Sequence, residues 1–196
     1  MKDYKGVALV CPVSLAYAKQ SPHGAAWFIG STLRELIRQA GIEKRDIDGF
    51  AVSSFSLGVD SAIALTQHLG LSPRWIEQAN MGGVSGIVAL RKAARAVQCG
   101  EAEIVACIGG DGAAHRAFEG TAANFSSWSI DASFPYGAGG PNAAFSLITA
   151  HYMAHYGARR EDFARIALDQ RYNANHYDNA LLGHKTLTLD GYLKAR

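Results

Sequence analysis

Short apolar runs alternate with amphipathic stretches over the first 110 residues. The β-branched run "VALVC" (7–11) predicts a buried first strand followed by a Pro turn. Ser21-Pro22 then reads as a helix N-cap with proline at the first helical position. That helix is carried by Trp27, Leu33, Leu36, Ile37 and Ala40 and stopped by Gly41. "IDGFAVSSF" (47–55) predicts a second strand, 60–69 a short amphipathic helix closed by Gly70, and "RWIEQAN" (74–80) a third strand. A longer helix follows, with Ile87, Leu90, Ala94 and Val97 on one face and Arg91, Lys92, Arg95 and Gln98 on the other. Gly100 ends it, and 103–108 predicts a fourth strand.

Four strand–helix alternations with short links point to an α/β protein. The expected architecture is a mostly parallel mixed sheet with helices on both faces. From Gly112 to Gly140 the periodicity fades into a segment rich in Ser, Gly and aromatics. A loop of that length is expected to be functional or an interface. Residues 141–156 and 160–173 predict two further helices. The chain from Asn175 is polar and irregular until "LTLD" opens one more helix. Its amphipathic start without a finish leads us to expect a fragment of a longer protein.

Composition narrows the class. Of 196 residues, 48% are hydrophobic and 18% charged, which suits a chain with a real core. Net charge is +2 with both signs interspersed, so nucleic acid is not an expected partner. Cys11, Cys99 and Cys107 are too few and too scattered for a disulfide framework or a zinc site. We therefore expect a reducing, cytoplasmic compartment. Lys2 and Lys5 before an apolar run imitate a secretory signal, but Asp3, Pro12 and the shortness of the run oppose that reading. No run approaches the ~18 apolar residues of a spanning helix.

The candidate chemistry gathers at "NMGGVSG" (80–86), where a glycine turn opens a helix. Unpaired N–H groups and the helix dipole favour an anion or a thiolate at such a place. Here it carries Gly82, Gly83, Val84 and Ser85, with no nucleophile. The bland alternative is a glycine that merely makes the turn. Other features are weaker. His151 and His155 share a helix face, but Tyr152 stands where a zinc-protease motif has glutamate, so no metal is expected. "YGAGGPNAAF" (136–145) lacks the residues of a phosphate loop. "CIGGDG" (107–112) reads as a strand-to-helix turn with Asp111 as a cap. His176, Asp178 and His184 lie in the polar tail.

The run Asn80-x-x-Gly83-x-Ser85-Gly86, then Ala89-Leu90, Ala93, Val97, Gly100, Ala102-Glu103, Val105 and Gly109-Gly110-Asp111, resembles the N-terminal half of the thiolase superfamily. The early "AVSSF" and the later "AAFSLITAHYMAHYGARREDFARIALDQRYNANHYDNA" resemble its lipid-transfer, sterol-carrier-protein X-type branch. The resemblance implies a thiolase-like α/β domain over 1–157 and the start of a coenzyme A-binding loop region over 158–196. It puts the acyl-accepting cysteine of a working thiolase on Gly83, so thioester exchange through this elbow is excluded. It implies a coenzyme A thioester as substrate, no bound cofactor, and retro-aldol cleavage over thiolysis, with Gly82, Gly83, Val84 and Ser85 binding the substrate. The implied partners are a second copy, a second thiolase half, or a small OB-fold protein. The other expectation is a non-catalytic subunit that serves as a scaffold or lipid-transfer partner.

Overall fold

Three parallel strands set the frame: β1 (Gly49–Ser53), β2 (Trp75–Ala79) and β3 (Val105–Gly109), in the order β2-β1-β3. β1 is central, with Gly49 opposite both Trp75 and Val105, and Ser53 opposite both Ala79 and Gly109. The computed structural model describes residues 3–55, 57–58, 60–112, 127–137 and 141–195. Much of the expected 112–140 loop, and the centre of the 136–145 glycine loop, lie outside the described residues.

Strand alternation sends the two faces of the sheet to different helices. Phe50, Val52, Ala106 and Ile108 point to one side and form a core with α1 (Ala25–Ala40) and α2 (Ser61–Leu69). Ile29, Leu33, Ala62, Leu65, Ile47 and Leu71 complete it. Ala51 and Ala79 point to the other side and meet α3 (Ser85–Gln98). The result is helix, sheet, helix, as the alternation predicts.

Which residues of α3 face the sheet differs from expectation. The buried positions are Ser85, Ala89, Ala93 and Ala96, while Ile87 is 71% exposed. The sheet face there carries Ala51 and Ala79 with Trp75, Val105 and Cys107 beside them, so the small side chains of α3 fit against it. The larger Leu90 and Val97 flank the contact, half-buried.

Four further expectations are corrected. Residues 7–11 form no strand, and Leu9 and Val10 are 81% and 69% exposed. A β-branched run becomes a strand only where a neighbour takes up its backbone hydrogen bonds, and none of the described residues does so. α1 begins at Ala25, with Gly24 as its N-cap, rather than at Ser21-Pro22; the Ser21 hydroxyl instead accepts from His23 N–H at 3.0 Å. The region read as loop contains a short helix, α4 (Ser127–Ala132), and a 3-10 turn, Phe134–Tyr136. All the strand pairs among the described residues are parallel, so no antiparallel strand makes this sheet mixed within them.

The starts of all three strands are tied together by Asp48. Its carbonyl accepts from Arg74 N–H and Trp75 N–H at the head of β2. Its carboxylate accepts from Glu103 N–H and Ile104 N–H (2.8–3.0 Å) before β3, and from the Arg74 guanidinium at 2.8 Å.

The chain divides into two compact units, Met1–Leu15 with Ser21–Ala113, and Ala16–Gln20 with Ala114–Arg196. The first holds the sheet. The second carries α4, α5 (Pro141–Tyr156), α6 (Arg160–Ala174) and α7 (Leu189–Lys194). Asp162 caps α6 by accepting from Arg159 N–H at 2.8 Å, and Thr188 caps α7 through Gly191 N–H. α5 is rich in apolar residues, with Phe145, Leu147 and Ile148 exposed.

Partial burial raises the Asp48 pKa, but the two backbone donors and Arg74 outweigh it and hold the carboxyl below its ordinary 3.8. A carboxylate depressed on folding stabilises above its unfolded pKa, and the benefit is lost as pH falls through the folded value. Asp48→Ala is expected to cost about 2 kcal/mol in urea unfolding at pH 7. That difference from the native protein should hold down to about pH 5 and shrink below about pH 4.

Candidate functional site at the elbow between β2 and α3

β2 ends at Ala79, and within three residues the chain turns into a 3-10 turn, Gly82–Val84, that runs straight into α3. The turn needs glycine at Gly82, whose φ of 64° lies in the left-handed region. Ser85 locks it: Met81 N–H donates to the Ser85 hydroxyl at 2.8 Å, and that hydroxyl donates to Gly82 C=O at 2.7 Å. Ser85 is buried, so its polar capacity is spent inside the turn. Of the four residues expected to bind substrate, Ser85 therefore shapes the elbow. Gly82, Gly83 and Val84 form its rim.

Gly83 stands in open space. A Cβ built there meets no heavy atom within 4 Å, and the residue lacks a positive φ. A side chain at position 83 is thus not excluded by sterics; the position has room for one and carries none. The surroundings are apolar and open, with Met81 59% and Val84 56% exposed. The first N–H groups of a helix have no intrahelical partner and carry partial positive charge, so the elbow favours a negatively charged oxygen.

The elbow shares the C-terminal edge of the sheet with other polar groups. Ser53 closes β1 with its hydroxyl 3.9 Å from where a Cβ on Gly86 would sit, and 3.0 Å from one on Gly109. Beside it, Asp111 accepts from the Ser54 hydroxyl at 2.6 Å and from Phe55 N–H at 2.7 Å. Asp111 caps a loop, not a helix. Gly112 passes the start of α1 so closely that a Cβ would sit 2.7 Å from the Gly24 carbonyl carbon. The starts of α1, α2 and α3 therefore all lie at this edge, where ligands of open α/β sheets gather.

The remaining candidates lie elsewhere. Cys99 is exposed at the C-terminal end of α3, about 24 Å from the elbow at 1.5 Å per residue. Cys107 lies in β3, where burial pushes its thiol up to about 11. His151 and His155 stack on α5 with ring centroids 5.8 Å apart. Among the described residues no three His, Cys, Asp or Glu side chains gather as a metal site. His176 is tied locally, its Nδ1 2.9 Å from the Tyr172 carbonyl.

Sequence reasoning missed Gln78. Its side-chain carbonyl accepts from Ala62 N–H at 2.8 Å, capping α2 from a neighbouring strand, and its amide donates to Gly58 C=O at 2.6 Å. Nothing in an alternating strand pattern marks such a residue, because its partners lie 16 and 20 positions away.

No family model matches the chain. The whole chain is 27% identical to a steroid side-chain-cleaving aldolase of Thermomonospora curvata, over 52% of that protein. Over 92% of its length it is 24% identical to a 17-hydroxy-3-oxo-4-pregnene-20-carboxyl-CoA lyase of Mycobacterium tuberculosis, covering 48% of that protein. Its fold matches a chain of a solved Ltp2-ChsH2(DUF35) aldolase with a TM-score of 0.74 and 24% identity. The match covers 91% of this chain and 46% of that one. The chain thus spans about half the length of the relatives it matches.

Gly83→Cys is expected to fold and to place a thiol at the helix start with a lowered pKa. Iodoacetamide at pH 7 should alkylate it at least about tenfold faster than Cys99 or Cys107, read by peptide mass spectrometry. Equal rates would show that the elbow does not activate anions. Ser85→Ala should cost about 1–2 kcal/mol through the two lost hydrogen bonds, measured by thermal unfolding.

Proposed function

We propose that this chain is a thiolase-like half of an enzyme that cleaves a C–C bond of a coenzyme A thioester by retro-aldol chemistry. The observation that carries the reading is the Gly83 elbow. It has the strand, turn and helix of a nucleophile site, and open space where the nucleophile would stand. Two relatives described as an aldolase and a carboxyl-CoA lyase support C–C cleavage as the chemistry.

In this reading Gly82, Gly83 and Val84 offer backbone N–H groups to the thioester oxygen. A β-hydroxyacyl thioester loses its hydroxyl proton to a base. The Cα–Cβ bond breaks, Cβ leaves as a carbonyl, and the electron pair passes to the thioester as an enolate. Donors aimed at that oxygen stabilise the charge as it develops. A proton returned to Cα completes the product thioester. The reaction uses no acyl-enzyme, so a glycine at position 83 is no handicap. No residue of this chain is assigned as the acid or base.

The thiolase reading also assigns 1–157 to the α/β domain and 158–196 to the start of a coenzyme A-binding loop region. It calls for a partner: a second thiolase half, a second copy, or an OB-fold protein. The exposed Phe145, Leu147 and Ile148 of α5 support a partner, because exposed apolar residues gathered on one helix are normally covered. The solved structure whose fold this chain shares is an Ltp2-ChsH2(DUF35) aldolase.

The test is incubation with a β-hydroxyacyl-CoA, followed by chromatography of the products and intact-mass analysis of the protein. A shortened acyl-CoA and a carbonyl product with an unmodified protein mass are expected. A stable acyl adduct near Gly83 would sink the non-covalent reading, and absence of cleavage would leave the scaffold role.

A further inference from the structure

The loop that follows β1 is tied down from both neighbouring strands. On the β3 side, Asp111 accepts from the Ser54 hydroxyl and from Phe55 N–H. On the β2 side, Gln78 donates to Gly58 C=O and accepts from Ala62 N–H. Four side-chain hydrogen bonds of 2.6–2.8 Å thus hold the described part of the loop, Ser54, Phe55, Leu57 and Gly58, and the start of α2. Leu57 anchors the middle by packing against the α1–α2 core.

The position of this loop gives the ties their meaning. From β1 the chain moves outward to β2, then returns across the sheet to β3. The direction of winding therefore reverses between β1 and β3. In open α/β sheets the crevice for a ligand opens at the carboxyl ends of the strands flanking such a reversal. The Ser54–Asp111 hydrogen bond spans that crevice. Ser53, next in the chain, lies against Gly86 in the first turn of α3, so the loop departs from beside the elbow. Phe55, half exposed, is the largest side chain among the described residues of the loop.

A loop free to move would have to be ordered when a ligand binds, and that ordering weakens affinity. One side-chain tie from each flanking strand removes the need. We propose that Asp111 and Gln78 are positioning residues that hold the loop after β1 as a preformed rim of the ligand crevice, with Phe55 as the apolar wall. The rim's part in catalysis rests on the proposed retro-aldol reading; the pinning does not.

The experiment is residue-resolved hydrogen exchange on the full chain, paired with steady-state kinetics on a β-hydroxyacyl-CoA. Asp111→Ala should speed exchange of the Phe55 amide about tenfold and leave that of Ala62 unchanged, and Gln78→Ala should do the reverse. Asp111→Asn keeps a carbonyl acceptor and should restore protection at Phe55. In kinetics, Asp111→Ala should raise KM about tenfold with kcat within about twofold, and Asp111→Asn should return KM to near the native value. Phe55→Ala should raise KM without moving either amide's exchange. Unchanged exchange at Phe55 in Asp111→Ala would overturn the pinning. Faster exchange with an unchanged KM would overturn the rim's part in binding. If the native protein cleaves no thioester, the proposed reaction fails, and the exchange data alone still decide the pinning.

Discussion

The contact on which the rest depends is the alanine seam between α3 and the sheet. Ala89 packs with Ala51 and Ala79, Trp75, Val105 and Cys107 pack beside them, and Ala93 and Ala96 are buried on the same helix. Close approach fixes where α3 must start, which is directly beyond the end of β2. Only a tight turn fits that gap, and a left-handed Gly82 with the Ser85 lock supplies it. Larger residues in the seam would lift the helix and move the elbow away from Ser53 and the β1 loop. The open space at Gly83 is thus a product of core packing as much as of the turn.

The two ends of the sheet divide the labour. At the amino ends, Asp48 ties the three strands with backbone and carboxylate contacts and leaves little for a ligand to use. At the carboxyl ends, three helix starts converge with Ser53, Ser54, Gln78 and Asp111 between them. A parallel sheet concentrates unpaired N–H groups and partial positive charge at that end by geometry alone. In the proposed reaction such an edge suits an enolate oxygen, whose charge appears only as the bond breaks.

Much of this was legible in the chain. The periods of 2 and 3.6 located β1, β2, β3, α2, α3 and α5 to within a few residues, because glycines and apolar runs mark them locally. The residues of the elbow were found for the same reason, since a turn that opens a helix has a local signature. The failures have a common cause. Residues 7–11 look like a strand because their side chains suit one, but strand formation is decided by a hydrogen-bonding neighbour. Ile87, Leu90 and Val97 look like the buried face of α3 because they are large and apolar. The sheet selects the alanines, which the pattern ranks lower.

What the sequence determined by itself is what neighbours in the chain decide: the alternation of elements, the α/β class, and a glycine turn that opens a helix, with glycine at position 83. Only the tertiary structure decided the rest. It spent the Ser85 hydroxyl inside the turn, turned Asp111 from an expected helix cap into an anchor 56 residues away from its Phe55 partner, and gave Gln78 a place at the start of α2. Those roles are set by which strand lies beside which, and the order β2-β1-β3 is a property of the folded sheet that no local pattern encodes.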